Sequence, residues 1–293
     1  MAGYERKQLI KDRILDYIMT AAGVLSLMAA VSAAVFILLR GIPQLFTWGS
    51  AELFGMRWAP SDIPPSFGLF PFITGTFWIS VSTLFLSVPP AVLTAVYMIY
   101  FSRPGQEKYM LFITRFMAGI PAVVLGVMGV TSVVPFIHHW IGGTGSSILT
   151  ASLTLSMMVM PTLCLGCRSA VLSVPWKYYQ GARALGISHE KTVFLLMVPQ
   201  AWRGILTAVL FSTGRIMGET LIVVMTAGNQ AWMPDSWLDG VRTLTANIFL
   251  EMSYAPGDGG DPVLAAAAVL LIFIFAVQLL FSVMRRRCFP YGK

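Results

Sequence analysis

The sequence predicts an all-α membrane protein that crosses the bilayer about six times. Of its 293 residues, 56% are hydrophobic and only 11% are charged, whereas a soluble domain carries about 25% charged residues. The apolar residues are gathered into long runs, each near or above the roughly 20 residues that a helix needs to cross a bilayer. These observations exclude a water-soluble globule and indicate a single transmembrane domain over residues 1–293.

The first three spans are predicted over residues 15–39, 71–101 and 109–137. The apolar run of the first is longer than the about 7–15 residues of a signal-peptide core, so we expect it to be retained. The second contains two adjacent prolines and the third contains Pro121. Proline is tolerated in membrane helices because neighbouring groups can bond the carbonyl oxygens that it frees.

The remaining spans are predicted over residues 146–172, 199–227 and 262–284. Segment 173–198, between the fourth and fifth spans, is too polar to cross a bilayer and is expected to be a loop. Cys164 and Cys167 lie in the apolar fourth span, where we interpret them as small residues that pack between helices.

The basic residues predict that both termini are cytosolic. The chain has 20 Lys and Arg residues. With cytosolic termini, Arg40, Arg57 and Arg242 fall outside and Arg215 falls within a span, which leaves 16 basic residues in the inner segments. This asymmetry follows the positive-inside rule. The net charge of +7 is therefore a topology signal, and no nucleic-acid partner is predicted.

Three spans carry polar side chains at helical spacing. In the second span these are Thr76, Ser80, Thr83 and Ser87. In the fourth span Thr150 pairs with Thr154 on one face, and Ser152 pairs with Ser156 on another. In the fifth span the polar residues are Ser212, Arg215, Glu219 and Thr226. Residues three and four apart share one face of a helix, so each set could line a polar path. Hydrogen bonding between helices explains such stripes equally well, and both interpretations stay open.

Arg215 and Glu219 are the charged residues predicted near the middle of the fifth span, where an isolated charge costs several kcal/mol. Their spacing predicts an ion pair on one helical face, although the order Arg before Glu is the less favourable one. A buried pair is also a weak source of stability. We therefore predict that Arg215 faces an aqueous path and attracts an anion, and that Glu219 holds it when the path is empty. A planar guanidinium offers two parallel donors to a tetrahedral oxyanion.

The loop between the fourth and fifth spans contains a recurrent motif. Its residues 180–186 read Q-G-A-R-A-L-G, and nine residues later the chain reads L-M-V-P. Gly186 is a suitable stop for a short helix. The segment resembles the EAA loop of bacterial ATP-binding-cassette (ABC) importer permeases, E-A-A-x-x-x-G followed after nine residues by I-x-L-P. Ala182, Gly186 and Pro199 match, whereas Gln180 replaces the Glu and Gly181 replaces an Ala.

A second run, from Gly214 to Thr220, resembles the G-R-x-x-G-E-T sequence of permeases of the phosphate-specific (Pst) system, and is closer to the PstC subunit than to PstA. Gly75 to Tyr97 in the second span and Gly119 to Gly126 in the third are also similar to that group. The resemblance extends over roughly residues 70–285.

This resemblance implies a type I ABC importer permease with a MetI-like fold, in the cytoplasmic membrane of a bacterium. The implied cargo is inorganic phosphate. The implied partners are a PstA-like second permease, two PstB-like ATPases and a PstS-like extracytoplasmic binding protein. Arg215 and Glu219 would line the phosphate route, and the helix containing Gln180, Gly181, Ala182, Ala184 and Gly186, together with Pro199, would couple the ATPase to it. The sequence has no G-x-x-x-x-G-K-[ST] motif for ATP, so we predict a transport subunit that is not itself an enzyme and has no cofactor.

Three alternatives remain at this point. The cargo could be sulfate, molybdate or tungstate. The chain could be a membrane-embedded enzyme, for which His138 and His139 are the pair of interest, but adjacent residues point in different directions on a helix and no metal site is predicted. It could also be a channel or scaffold subunit that works without an ATPase.

Overall fold

The computed structural model describes residues 2–48, 54–60, 62, 66–252 and 262–288, and within these it describes no side chains for residues 2–12, 14, 48 and 285–288. The predicted domain of residues 1–293 therefore extends beyond the described residues at both ends. In the described part, the chain is a bundle of α-helices with one two-stranded hairpin.

The elements follow one another in a simple order. They are α1 (Ala2–Trp48), β1 (Trp58–Ala59), β2 (Ser66–Phe67), α2 (Phe70–Val96), α3 (Gln106–Ala118), α4 (Ala122–Met128), α5 (Val134–Trp140), α6 (Ile148–Leu172), α7 (Trp176–Ala184), α8 (His189–Thr192), α9 (Val198–Gly218), α10 (Leu221–Thr226), α11 (Leu244–Glu251) and α12 (Pro262–Cys288). Three π-helical turns, Tyr97–Phe101, Gly129–Val133 and Val193–Met197, continue α2, join α4 to α5 and join α8 to α9.

Six stretches of these helices are long and apolar enough to cross a membrane, which confirms the predicted number of spans. They are Leu15–Thr47, Phe70–Phe101, Ala122–Trp140, Ile148–Leu172, His189–Gly218 and Pro262–Met284. The second, fourth and sixth agree closely with the sequence-based bounds. The first begins at Leu15 as predicted but continues to Thr47, beyond the predicted end at residue 39, and the third and fifth also differ.

The third span begins at Ala122, not at residue 109, because the helix is broken at Pro121. Pro121 is extended, with ψ of 139°, and it has no backbone N–H to continue the ladder of α3. A proline also disfavours the helical conformation of the residue before it. The segment that the sequence assigned to the start of this span is the separate helix α3.

The fifth span begins at His189 and ends at Gly218, whereas residues 199–227 were predicted. Ser188 caps its first turn, since the hydroxyl of Ser188 accepts a hydrogen bond from the Lys191 amide. Pro199 suggested a helix start. It lies just after the π-helical turn Val193–Met197, where the regular pattern of α-helical backbone hydrogen bonds is already interrupted. The helix therefore passes through it, and the loop is shorter than the predicted 173–198.

Helix α6 lies at the centre of the bundle, between α2 and α9, and most of its length is buried. Helices α6 and α9 approach each other through small residues. A Cβ atom added to Gly166 would lie 2.8 Å from the Ala208 methyl carbon, and one added to Gly204 would lie 2.5 Å from that of Ala170. The two contacts together set an antiparallel register for the pair. Small residues of this kind allow membrane helices to pack closely.

On the side where the β1–β2 hairpin lies, a buried ion pair ties the hairpin to the helices. A guanidinium nitrogen of Arg242 lies 3.0 Å from a carboxylate oxygen of Glu251. The same oxygen accepts a hydrogen bond from the Trp58 indole at 3.3 Å. Arg242 also donates to the side-chain oxygen of Asn247 and to the carbonyl oxygen of Asn229. This network connects β1, α11 and the loop before α11.

Candidate functional site

Arg215 lies about halfway along the bundle. It is in the last turn of α9, and the antiparallel register set by Gly166 and Gly204 places it opposite Val159. Val159 is close to the midpoint of α6, Ile148–Leu172.

The Arg215 side chain opens onto a cleft between α6 and α9. The cleft has a volume of about 240 Å³ and is lined by Thr162, Gly166, Ala208, Phe211, Ser212 and Arg215. Arg215 is exposed in the single chain. Neither a carboxylate nor any other described residue forms an ion pair or hydrogen bond with its guanidinium among the contacts of the structure. The guanidinium therefore keeps its donors unengaged by the residues that the structure describes.

The predicted ion pair between Arg215 and Glu219 is wrong for the described structure. Helix α9 ends at Gly218, and the backbone of Glu219 is extended, with φ of −74° and ψ of 126°. The two residues therefore do not share a helical face, and no ion pair joins them in the described part of the chain. The carbonyl oxygen of Glu219 accepts a hydrogen bond from the Thr245 hydroxyl at 3.1 Å, which fixes the break between α9 and α10.

Of the other predicted path residues, the structure brings only Ser212 to Arg215. The hydroxyls of Thr76, Thr83 and Thr226 donate to backbone carbonyl oxygens one turn earlier, each at 2.7 Å. Thr76 also accepts a hydrogen bond from the Leu244 amide of α11 at 3.0 Å. These three residues and Ser80 are buried within the chain, so they are placed among packed helices and not at the cleft.

The residues of the cleft that sequence reasoning missed are Thr162, Gly166, Ala208 and Phe211. Two of them belong to a pattern that was available in the sequence. Gly166 and Ala170 are four residues apart on α6, and Gly204 and Ala208 are four apart on α9. Such small-xxx-small pairs are typical of close helix contacts in membranes, and they identify the helices that flank Arg215.

The predicted coupling helix is present as α7, Trp176–Ala184, and ends as Gly186 predicts. Gly186 has a φ of +80°. Its amide donates to the carbonyl oxygen of Arg183 at 3.1 Å, and the Ile187 amide donates to that of Ala182 at 3.2 Å. This pair of bonds is the Schellman motif, in which a glycine with positive φ satisfies the last carbonyl groups of a helix.

Most of the predicted coupling residues lie on the exposed side of α7. Gln180, Gly181, Ala184 and Gly186 are exposed, and Pro199 is exposed at the start of α9. Ala182 is buried and faces the bundle. The surface that α7 presents also includes large apolar side chains, among them Leu185 with 83% of its surface exposed. In the described chain this surface has no covering element.

The chain matches known transport proteins along most of its length. Residues 80–289 match the family described as binding-protein-dependent transport system inner membrane component. The probable ABC transporter permease YqgH of Bacillus subtilis is 30% identical over 92% of this chain and 89% of its own. The phosphate transport system permease PstC of Xylella fastidiosa is 26% identical over 95% and 93%. The probable phosphate permease PstA of Methanocaldococcus jannaschii is 25% identical over 92% of each chain.

Solved structures share the fold at lower identity. A chain of a bacterial ABC transporter involved in alginate import superposes with a TM-score of 0.62 at 16% identity, over 96% of this chain and 99% of its own. A chain of the inward-facing MetNI methionine ABC transporter superposes with a TM-score of 0.57 at 19% identity, over 76% and 95%. The fold is thus that of a type I, MetI-like importer permease. By the extent of the family match, the chain belongs to the binding-protein-dependent transport system inner membrane components.

Proposed function

We propose that this chain is the channel-forming permease subunit of an ABC importer that moves inorganic phosphate across the cytoplasmic membrane of a bacterium. The observation that carries the proposal is the guanidinium of Arg215 at the cleft between α6 and α9, which forms no ion pair with any residue that the structure describes. A charged side chain inside a span is costly against lipid, and it is found almost always in a bundle interior or a water-filled cavity. Arg215 therefore belongs to an aqueous path in the assembled transporter.

The donors at the cleft suit an oxyanion. The guanidinium of Arg215 can offer two parallel N–H groups to two oxygens of one anion. Ser212 lies on the same helix three residues earlier and lines the same cleft, so its hydroxyl can add a third contact. With no Glu219 carboxylate paired to it, Arg215 keeps its full charge for the anion. Such a weak, open site suits transport, because a conducting site must also release what it binds.

Phosphate is the cargo that the relatives favour. Several relatives at 25–27% identity are named phosphate transport permeases, and the run from Gly214 to Thr220 resembles the Pst sequence. Sulfate, molybdate and tungstate have the same tetrahedral shape and are the alternatives. Glu219, which follows the end of α9, remains part of the proposed phosphate route on the resemblance to the Pst sequence alone.

The energy for transport is proposed to come from partner subunits. The exposed surface of α7 is the docking site that we propose for one of two PstB-like ATPases. A PstA-like permease would complete the path beside Arg215, and a PstS-like binding protein would deliver phosphate from outside. The first and last residues would both be cytosolic, as the distribution of basic residues predicts.

The test is uptake by the complex purified from its native membrane and reconstituted in proteoliposomes. Radiolabelled phosphate should accumulate only when ATP is supplied, and unlabelled sulfate or molybdate should not compete. Arg215→Gln should abolish uptake without changing the amount of ATPase that co-purifies. Arg215→Lys keeps the positive charge but loses the two parallel N–H donors of the guanidinium. It should raise the KM for phosphate about tenfold, as expected for one lost charge-assisted hydrogen bond.

Arg103→Gln is the matched control, because Arg103 is an exposed arginine outside the spans. It should transport like the wild type. Wild-type uptake by Arg215→Gln would refute the anion site, competition by sulfate would reassign the cargo, and uptake without ATP would support a passive channel instead.

A further inference from the structure

A cluster of aromatic rings and one histidine joins the coupling helix to the ends of two spans. Tyr100 lies in the π-helical turn that ends the second span, Trp176 and Tyr179 lie on α7, and His189 is the first residue of α8. We name these four residues the aromatic joint. The Trp176 and Tyr179 rings stack with centroids 4.4 Å apart, and the Tyr100 ring stacks on each of them at 6.1 and 6.0 Å.

His189 fastens the joint through both of its ring nitrogens. Its Nε2 lies 3.0 Å from the carbonyl oxygen of Tyr100, and its Nδ1 lies 2.9 Å from the hydroxyl of Tyr179. A carbonyl oxygen can only accept, so Nε2 carries the proton in this bond. In the neutral ring Nδ1 is then an acceptor, and the Tyr179 hydroxyl donates to it. One side chain of the fifth span therefore bonds both to the second span and to α7.

Helix α7 has few other attachments to the bundle. Ala182 is the only one of its nine residues that is buried, and its C-terminal turn is closed by bonds within the segment 181–187. The sides of α7 away from the joint are exposed. Besides the short chain connection to α6 through residues 173–175, a force applied to the exposed face of α7 therefore reaches the second and fifth spans through Ala182 and the aromatic joint.

We propose that the aromatic joint is the positioning element that passes movement of α7 to the second and fifth spans. This inference rests on the proposed role of α7 as the ATPase docking helix. The fifth span carries Arg215 at its far end, and α8, the π-helical turn and α9 form one continuous helix between His189 and Gly218. Movement of His189 with α7 would therefore be transmitted along the helix that holds the proposed anion site.

The test compares the amount of phosphate transported per ATP hydrolysed in the reconstituted complex. Tyr179→Phe keeps the ring stack and removes only the hydrogen bond to His189. It should lower the ratio about fivefold, the factor expected for one neutral hydrogen bond. The amount of co-purified ATPase should not change, and the thermal unfolding midpoint should fall only by the small amount expected for one neutral hydrogen bond. A residue with only a structural role would lower the midpoint and leave the ratio as it was.

Two further comparisons make the result specific. Tyr109→Phe removes the hydroxyl of an exposed tyrosine on α3, outside both the joint and the proposed docking surface of α7, and should keep the wild-type ratio. His189→Ala should lower the ratio at least as much as Tyr179→Phe, and the double variant should be no worse than His189→Ala alone, because both changes remove the same bond.

A wild-type ratio in both Tyr179→Phe and His189→Ala would overturn the proposal, as would additive effects in the double variant. These outcomes are distinct from failure of the proposed cargo. If the wild-type complex carried sulfate in place of phosphate, the cargo would be wrong, but the same ratio measured with sulfate would still decide whether the joint couples α7 to the spans.

Discussion

The backbone angle φ of Gly186 determines how helix α7 ends. Its φ of +80° is accessible to glycine, whereas a left-handed conformation costs any other L-residue roughly 1–2 kcal/mol. Nothing lies within 4 Å of a Cβ atom added there. A substitution at Gly186 would therefore act through the backbone alone, by opening the last turn of α7.

We expect Gly186→Ala to reduce the amount of ATPase that co-purifies with the chain several-fold, because the end of the docking helix loses its fixed shape. Gly142→Ala is the matched control. Gly142 also has a positive φ, of 107°, and is equally uncrowded, but it lies in the connection between α5 and α6, outside the proposed docking surface. The control should dock as well as the wild type. Equal amounts of co-purified ATPase in both variants would show that the shape of the C-terminal end of α7 does not affect ATPase docking.

Among single residues, Arg215 shows what could be predicted from the sequence and what could not. A lone cation within an apolar run predicts a functional site whatever the packing, and the structure places this one at a cleft. Its pairing with Glu219 depended on the helix continuing past Gly218. The helix ends there instead, so the predicted contact between the two residues is wrong.

At the scale of elements, the contact between α6 and α9 decides where the cleft can form. Gly204 and Ala170 leave no space for another methyl group, since a Cβ atom on Gly204 would lie 2.5 Å from the Ala170 methyl carbon and 3.1 Å from its Cα. Both facing atoms belong to packed helices and cannot move independently. The close approach brings the polar residues of α9 next to α6.

Gly204→Ala should therefore destabilise the chain by about 1–3 kcal/mol, the usual cost of overpacking. The measurement is the thermal unfolding midpoint of the purified protein in detergent. Gly23→Ala serves as the control, because no atom of the chain lies within 4 Å of a Cβ atom at Gly23. A midpoint for Gly204→Ala equal to that of the control would mean that α6 and α9 can separate without cost.

The two ion pairs near the hairpin give a second prediction about elements. Arg242 and Glu251 are mostly buried, with 18% and 22% of their side chains exposed, whereas Arg57 and Asp62 are 77% and 45% exposed. Glu251→Gln should lower the free energy of unfolding by about 1.5–3 kcal/mol, the range for hydrogen bonds to charged groups.

Asp62→Asn should cost less than about 1 kcal/mol, because exposed ion pairs contribute little. Denaturant unfolding in detergent micelles compares the two variants. Equal losses of stability would show that the Trp58, Arg242 and Glu251 network does not hold the hairpin in place.

At the scale of the whole molecule, the orientation in the membrane is a prediction from the distribution of basic residues, and it can be tested directly. Cys164 and Cys167 are buried inside the bundle, so they should not react with a membrane-impermeant thiol reagent. With Cys288 first replaced by serine, single cysteines can be introduced as Tyr178→Cys and Arg57→Cys, both at exposed positions.

In cells whose cytoplasmic membrane is intact and whose outer layers let the thiol reagent pass, the reagent should label the Arg57→Cys variant from outside. Tyr178→Cys should be labelled only after the membrane is opened. The reverse pattern would place the coupling helix on the wrong side for a cytosolic ATPase and would contradict both the orientation and the proposed docking surface.

The sequence by itself determined the features that depend on neighbouring residues. Long apolar runs gave the six spans, because the bilayer fixes the length of a crossing helix. Local turn chemistry gave the end of α7 at Gly186, because only the conformation of that residue is involved. The spacing of the coupling motif and the run around Arg215 pointed to the family to which the chain belongs.

Only the tertiary structure decided which polar side chains are engaged in hydrogen bonds or ion pairs with other helices. The Thr76 hydroxyl is occupied by α11, and the end of α9 separates Arg215 from Glu219. The aromatic joint unites residues from three segments, Tyr100, Trp176 with Tyr179, and His189. Such contacts depend on where distant helices break and meet, and hydropathy and helical spacing carry no information about either, because both describe one helix at a time.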